Sequence, residues 1–175
     1  MKPGHIYELE ARNTSEKSKN SGSLVVHQIG SDASYEENAV THVLASILHE
    51  PAFTTLRTHE KLGYTVKLSK ENVFNANHIS IFVQSSKHDP CFVESRINAF
   101  LAAQMAKMEA GLVEEGQPTR RSVESNKKSI LNELEGTPPN LKETAQYDWQ
   151  QLIREDLDFD RRARSIAAME KVTAE

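Results

Sequence analysis

The sequence predicts an α+β fold, a mostly antiparallel four-stranded sheet with helices packed on one face. Three observations carry that expectation. Short alternating or β-branched runs lie in the first half of the chain, and two of them flank a single turn-rich stretch, as in a hairpin. Apolar stripes at helical spacing fill the second half. A first helix, announced by its own capping signal, interrupts the strands.

The elements follow in order. Gly4 to Glu10 holds a half-apolar run, Ile6-Tyr7-Glu8-Leu9, read as an edge strand. Residues 11–22 are polar and aperiodic and read as a flexible loop. Leu24 to Ile29 is β-branched, ends at Gly30 and reads as a strand. Ser34 and Glu37 form a capping box before Val40, Val43, Leu44, Ile47 and Leu48. That helix should stop near Glu50, because Pro51 restricts the residue before it. Tyr64-Val66-Leu68 and Ile79-Ile81-Val83 alternate with period two, and the turn residues Asn72 to Asn77 between them suggest a hairpin with a longer loop. Asp89-Pro90 starts a helix whose buried stripe is Val93, Ile97, Phe100, Leu101, Met105, Met108 and Leu112. Thr119 to Glu135 is a further helix, closed by Gly136 and the Pro138-Pro139 pair. Asn140 caps another through Trp149, Leu152 and Ile153, and a last one begins near Asp158 or Phe159. In the sheet, Leu24, Val26, Val66, Ile79, Ile81 and Val83 are expected, with the stripes Val43-Ile47 and Ile97-Phe100-Leu101 against its inner side.

Composition excludes several function classes. Lys and Arg number 21 against 25 Asp and Glu, so the formal charge is −4 and no basic footprint for nucleic acid or an acidic membrane exists. No apolar run approaches the length of a membrane span, and no signal-peptide pattern opens the chain. The single cysteine, Cys91, allows no internal disulfide and no Cys-based zinc site, which suggests a reducing, cytoplasmic compartment. Length points to one domain over residues 1–175.

Seven histidines invite a search for zinc ligands. His49-Glu50 and His59-Glu60 each open an H-E-x-x-H pattern, but Phe53 and Gly63 stand where the second His belongs. His5 and Glu8 open the inverted H-x-x-E-H pattern, and Leu9 leaves it incomplete. The residues thus offer no metal set, and these histidines read as surface or cap residues. Cys91, beside Pro90 at a helix start, reads as a small half-buried residue rather than a nucleophile. The unusual stretch is Pro51 to Val66. It brings Arg57, a fixed cationic fork, into the same junction as Tyr64, a phenolic donor. Such a pair suits a peptide carbonyl or a carboxylate; a structural Arg and a strand aromatic fit the same residues.

That stretch carries a resemblance. Glu50, Pro51, Phe53, Leu56, Arg57, Leu62, Gly63, Tyr64 and Val66 meet every fixed position of the pattern E-P-x-F-x-x-L-R-x-x-x-x-L-G-Y-x-V. It resembles the C-terminal half of the insulysin (insulin-degrading enzyme) family and the wider pitrilysin-type inverzincin metallopeptidases. The likeness continues through Phe82-Val83-Gln84-Ser85 and Glu94-Ser95-Arg96 to Phe100, and spans roughly residues 22 to 170. It implies one of four homologous α+β units that form two bowl-like halves around a closed chamber. The zinc motif belongs to the first unit, and this sequence is similar to the last, without ligands. By the same resemblance, Arg57 and Tyr64 face across the chamber and help bind and orient the substrate peptide.

The resemblance implies a non-catalytic, substrate-binding domain, inactive alone, from a larger zinc metalloendopeptidase. Its partners would be peptide substrates and the other domains of that peptidase, with zinc as cofactor of the parent and none in this chain. A second copy of the chain, in a homo-oligomer, is a further candidate partner; the competing readings are a free-standing scaffold or assembly domain of the same fold and an independent zinc hydrolase, which the incomplete motifs disfavour.

Overall fold

The computed structural model describes residues 6–11, 19–30, 34–73, 76–113, 118–136, 140–153 and 157–173. Within them, strand β1 (Ser21–Gln28), helix α1 (Tyr35–Ala52), a π-helical segment (Phe53–His59), β2 (Thr65–Val73) and β3 (Ala76–Ser85) come first. Helices α2 (Pro90–Val113), α3 (Pro118–Glu135), α4 (Leu141–Ile153) and α5 (Arg161–Glu170) follow.

The α+β expectation holds, but the described residues form three strands, not four. They run in the order β1-β3-β2, all antiparallel. Of the edge strand expected over Gly4 to Glu10, Gly4 and His5 lie outside the described residues, while 6–10 have no regular structure, with Ile6 and Leu9 almost fully exposed. An alternating run becomes a strand only where a neighbour takes its hydrogen bonds. Most of the expected 11–22 loop lies outside the described residues, and its last two, Ser21 and Gly22, belong to β1. The hairpin is also tighter than expected, since Asn72 pairs with Asn77 and Val73 with Ala76.

Register divides the sheet into two faces. Val25, Ile81 and Leu68 share the inner one, and Leu24, Phe82 and Lys67 the outer. Accordingly Ile79, Ile81 and Val83 are buried, whereas Leu24 is 60% exposed. Leu24 and Val26 therefore lie in the sheet but on the face that the helices leave open. Against the inner face pack Ala45, Leu48, Ala52 and Leu56 from one side of the chain and Val93, Ile97 and Phe100 from α2.

A second cluster joins Ala39 and Val43 of α1 to Val123 and Ile130 of α3 and to Ala168, Met169 and Val172. Val43 and Ile47 thus face α3 and α5 rather than the sheet, contrary to expectation. Helix α1 is covered on two sides, so its apolar residues need not form one stripe. The Ser34 capping box is present as predicted, with Glu37 N–H donating to Ser34 Oγ at 3.1 Å.

The largest departure is at Pro51. Instead of ending near Glu50, α1 runs through Pro51 to Ala52 and passes directly into the π-helical segment. An interior proline costs about 3 kcal/mol. The continuation buries Ala52 and Leu56 almost completely, and one buried Leu alone returns about 1.5–3 kcal/mol. Burial offsets the proline.

Candidate functional site

The site is built on the π-helical segment and the link to β2. Its hydrogen bonds close over five residues, Glu60 N–H donating to Thr55 O at 2.9 Å. Phe53 and Arg57, four apart, fall on one turn of it. Lys61 then takes a left-handed conformation with φ of 52°, and the chain reverses toward the sheet. Leu62 is buried, 2% exposed, as the anchor of the link. At Gly63 a Cβ would stand 1.8 Å from the Gln84 carbonyl oxygen, so the link lies flush on β3. Lys61 makes the reversal, and Gly63 serves the close approach.

Tyr64 comes next, one residue before β2 rather than at its first position. Val66 and Leu68 face inward, but Tyr64 is 84% exposed and does not share their side. The bend at Tyr64 breaks the alternation there.

Arg57 and Tyr64 are brought together, as the residue types suggested. The guanidinium carbon of Arg57 lies 4.7 Å from the centroid of the Tyr64 ring and 4.7 Å from that of Phe53. Each such contact contributes about 0.5–2 kcal/mol, according to how dry it is. Arg57 is half-buried, and among the described residues it makes no hydrogen bond and no ion pair. Two aromatic rings thus hold a charged fork whose donors remain uncommitted.

A charged clasp fixes the end of the segment. Arg96 of α2 donates from Nε and from Nη2 to the two carboxylate oxygens of Glu60, both at 2.8 Å. The Arg96 hydrogen bonds hold the Glu60 carboxyl below its ordinary value, against an opposing effect of burial. Sequence reasoning missed Phe53, Glu60 and Arg96 as parts of this site. Phe53 had a signal, standing four residues before Arg57. Nothing in the chain links Glu60 to an Arg thirty-six residues on.

Two other expectations meet the geometry here. Cys91 is exposed, not half-buried. Among the described residues no three His, Cys, Asp or Glu side chains group so as to hold a metal. None of the described helices is long and apolar enough to cross a membrane.

The family "PQQ synthase PqqF-like, C-terminal lobe domain 4" matches residues 43–149, a span that holds the whole site. The chain belongs to that family, and so to the insulysin and pitrilysin type of domain. It is 29% identical over 170 residues to the insulin-degrading enzyme of Drosophila melanogaster, covering 97% of this chain and 16% of that protein. With the A-factor-processing enzyme of Saccharomyces cerevisiae it shares 29% over 157 residues, 89% of this chain and 14% of that one. The crystal structure of pitrilysin superposes with a TM-score of 0.73 at 23% identity, over 90% of this chain and 16% of that chain, which establishes the common fold. The family domain thus spans about one sixth of the length of these relatives.

Proposed function

We propose that this family domain is the non-catalytic, substrate-facing part of a larger zinc metalloendopeptidase. The observation that carries the reading is the Arg57 guanidinium, stacked on Phe53 and Tyr64 with its hydrogen-bonding donors uncommitted. A half-buried cation without a fixed acceptor suits a transient one. In this reading the acceptor is a main-chain carbonyl of a bound peptide, and Tyr64 adds a phenolic donor from its exposed position. Both groups project toward a chamber completed by other domains of the same polypeptide. Zinc, held in one of those domains, would activate water and polarise the scissile carbonyl. The residues of this chain bind and orient the peptide and stabilise the oxygen that gains charge. The relatives named for peptide degradation or processing support the reading, as does the pattern match at Arg57 and Tyr64. The uncovered thiol of Cys91 fits the reducing, cytoplasmic compartment that belongs to it.

The test places Arg57→Ala and Tyr64→Phe in the longer polypeptide that carries this domain. Each should lower kcat/KM for peptide hydrolysis by about 10²–10³-fold, the effect of losing one oxyanion-type donor. Melting temperature should stay almost unchanged. Intact hydrolysis in both variants would reject the reading and leave a scaffold domain. Lost hydrolysis with a collapsed melting temperature would assign the pair to folding instead.

A further inference from the structure

We infer that the Glu60–Arg96 clasp is a positioning device that sets the distance between Tyr64 and Arg57. The inference rests on the reading of Arg57 and Tyr64 given above and extends it to two residues that touch neither ring.

The reasoning starts from how Tyr64 reaches Arg57. Arg57 belongs to the π-helical segment, and Tyr64 lies beyond it across the link Glu60-Lys61-Leu62-Gly63. Whatever orients that link sets the 4.7 Å contact. Three fixed points do so. Leu62 is sunk in the core, and Gly63 lies against the Gln84 carbonyl. These two fix the far end. The near end, where the left-handed Lys61 reverses the chain, is tied to the π-helical segment by Glu60 N–H to Thr55 O at 2.9 Å and Leu62 N–H to Leu56 O at 3.0 Å, and the side chain that ties it to another element is Glu60, through its two bonds to Arg96. Among the described residues this is the only ion pair that joins residues 53–64 to another element.

The geometry of the pair is itself informative. A bidentate Arg–carboxylate contact fixes orientation as well as distance, which a single lysine ammonium would not. Glu60 is the more buried partner, with 21% of its side chain exposed against 41% for Arg96. Arg96 sits one residue before Ile97, which is fully buried, so the clasp is anchored to a rigid turn of α2. Placement errors near 1 Å in a binding group are costly, on the order of a hundredfold in rate. A rigid clasp at the hinge of the link guards against such errors.

The experiment uses the 175-residue chain for geometry and the longer polypeptide for turnover. In the folded chain, the Arg57 side-chain protons should resonate upfield, because they lie over the Phe53 and Tyr64 rings. Phe53→Leu measured alongside Tyr64→Leu separates the two ring contributions. The variants are Arg96→Gln, Arg96→Lys, the near-isosteric Glu60→Gln, and the exchanged pair Glu60→Arg with Arg96→Glu. Arg96→Gln and Glu60→Gln should lose most of the Tyr64 contribution and keep that of Phe53. Arg96→Lys should fall between, and the exchanged pair should recover part of the shift. In the longer polypeptide the same two single variants should lower kcat about tenfold or more with little change in KM. If Arg96→Gln does not fold, Glu60→Gln decides the matter alone. An unchanged Tyr64 contribution in Glu60→Gln would overturn the inference, as would equal loss of the Phe53 and Tyr64 contributions. A failure of the Arg57 and Tyr64 reading looks different. Hydrolysis would then survive Arg57→Ala while the resonance shifts still followed the clasp.

Discussion

Helix α1 separates two cores of unlike composition and unlike consequence. On the sheet side, Leu56, Ile81, Val83, Ile97 and Phe100 form a cluster that includes the π-helical segment itself. On the other side, Val43, Val123, Ile130 and Met169 join helices only. The same helix serves both, yet only the first reaches the candidate site, through Leu56 and Leu62. Stability is drawn from both cores, whereas site geometry depends on one.

That contrast can be tested by breaking each core in turn. Phe100→Ala should cost about 3–5 kcal/mol, because Phe100 is 3% exposed and its removal leaves a cavity in the core that also holds Leu56 and Leu62. Urea titration of the chain measures it. Met169→Ala, with Met169 1% exposed, should cost about 2–5 kcal/mol by the same measurement. The two should differ below their unfolding transitions. Only Phe100→Ala should disturb the stacking of Arg57 on its rings, and disturbance by both variants would join the cores into one unit.

Gly63→Ala strikes the sheet side without making a cavity. Its methyl would press on the Gln84 backbone, which cannot move without breaking the β3 ladder. A loss of about 1–3 kcal/mol or more is expected, with Tyr64 displaced. An unchanged melting temperature would mean that the link does not lie flush on β3. At the opposite end of α1, Ser34→Ala removes the capping box and should cost about 1 kcal/mol without touching the site.

The smallest effects are acid-induced, and they sharpen the comparison by falling in separate pH windows. His42 of α1 is held below its ordinary value of 6.5 by burial, then by Lys70, with Glu133 acting in the opposite sense. The unfolded chain therefore binds this proton first, and stability falls as pH drops below about 6.5. Glu60 is held below its ordinary 4.5 by Arg96. Its contribution is full above that value and is lost as pH falls through the folded-state pKa. His42→Gln should flatten the upper window of a stability–pH curve, and Glu60→Gln the lower. Only the lower loss should be accompanied by release of Tyr64 from Arg57. Movement of that contact in the upper window would contradict the separation.

Much of the fold could be read from local pattern. The Ser34 capping box, the alternation in β3, and Val93, Ile97 and Phe100 of the α2 stripe stand where the sequence puts them, whereas Met105, expected buried in the same stripe, is 62% exposed and outside the sheet-side core. Each is set by neighbours within a few residues, through hydrogen-bonding geometry or through a repeating face. Arg57 and Tyr64 were legible too, since residue type and the family pattern singled them out before any distance was known.

What the sequence left open was decided by contacts between distant segments. The chain passes Pro51 as helix because burying Ala52 and Leu56 outweighs the proline, and that burial exists only once the sheet and α2 are in place. Residues 6–10 alternate like a strand yet form none, since the described structure gives them no partner edge. Val43 and Ile47 turn to a second core that no single helix can announce. Gly63 is required by a carbonyl twenty-one residues away, and Glu60 finds its Arg thirty-six residues on. Residue type offered Arg57 and Tyr64 as donors suited to a carbonyl or carboxylate, and the family pattern singled them out. Their distances and freedom from other partners were decided by packing, because separations across the chain are fixed only when the whole core closes.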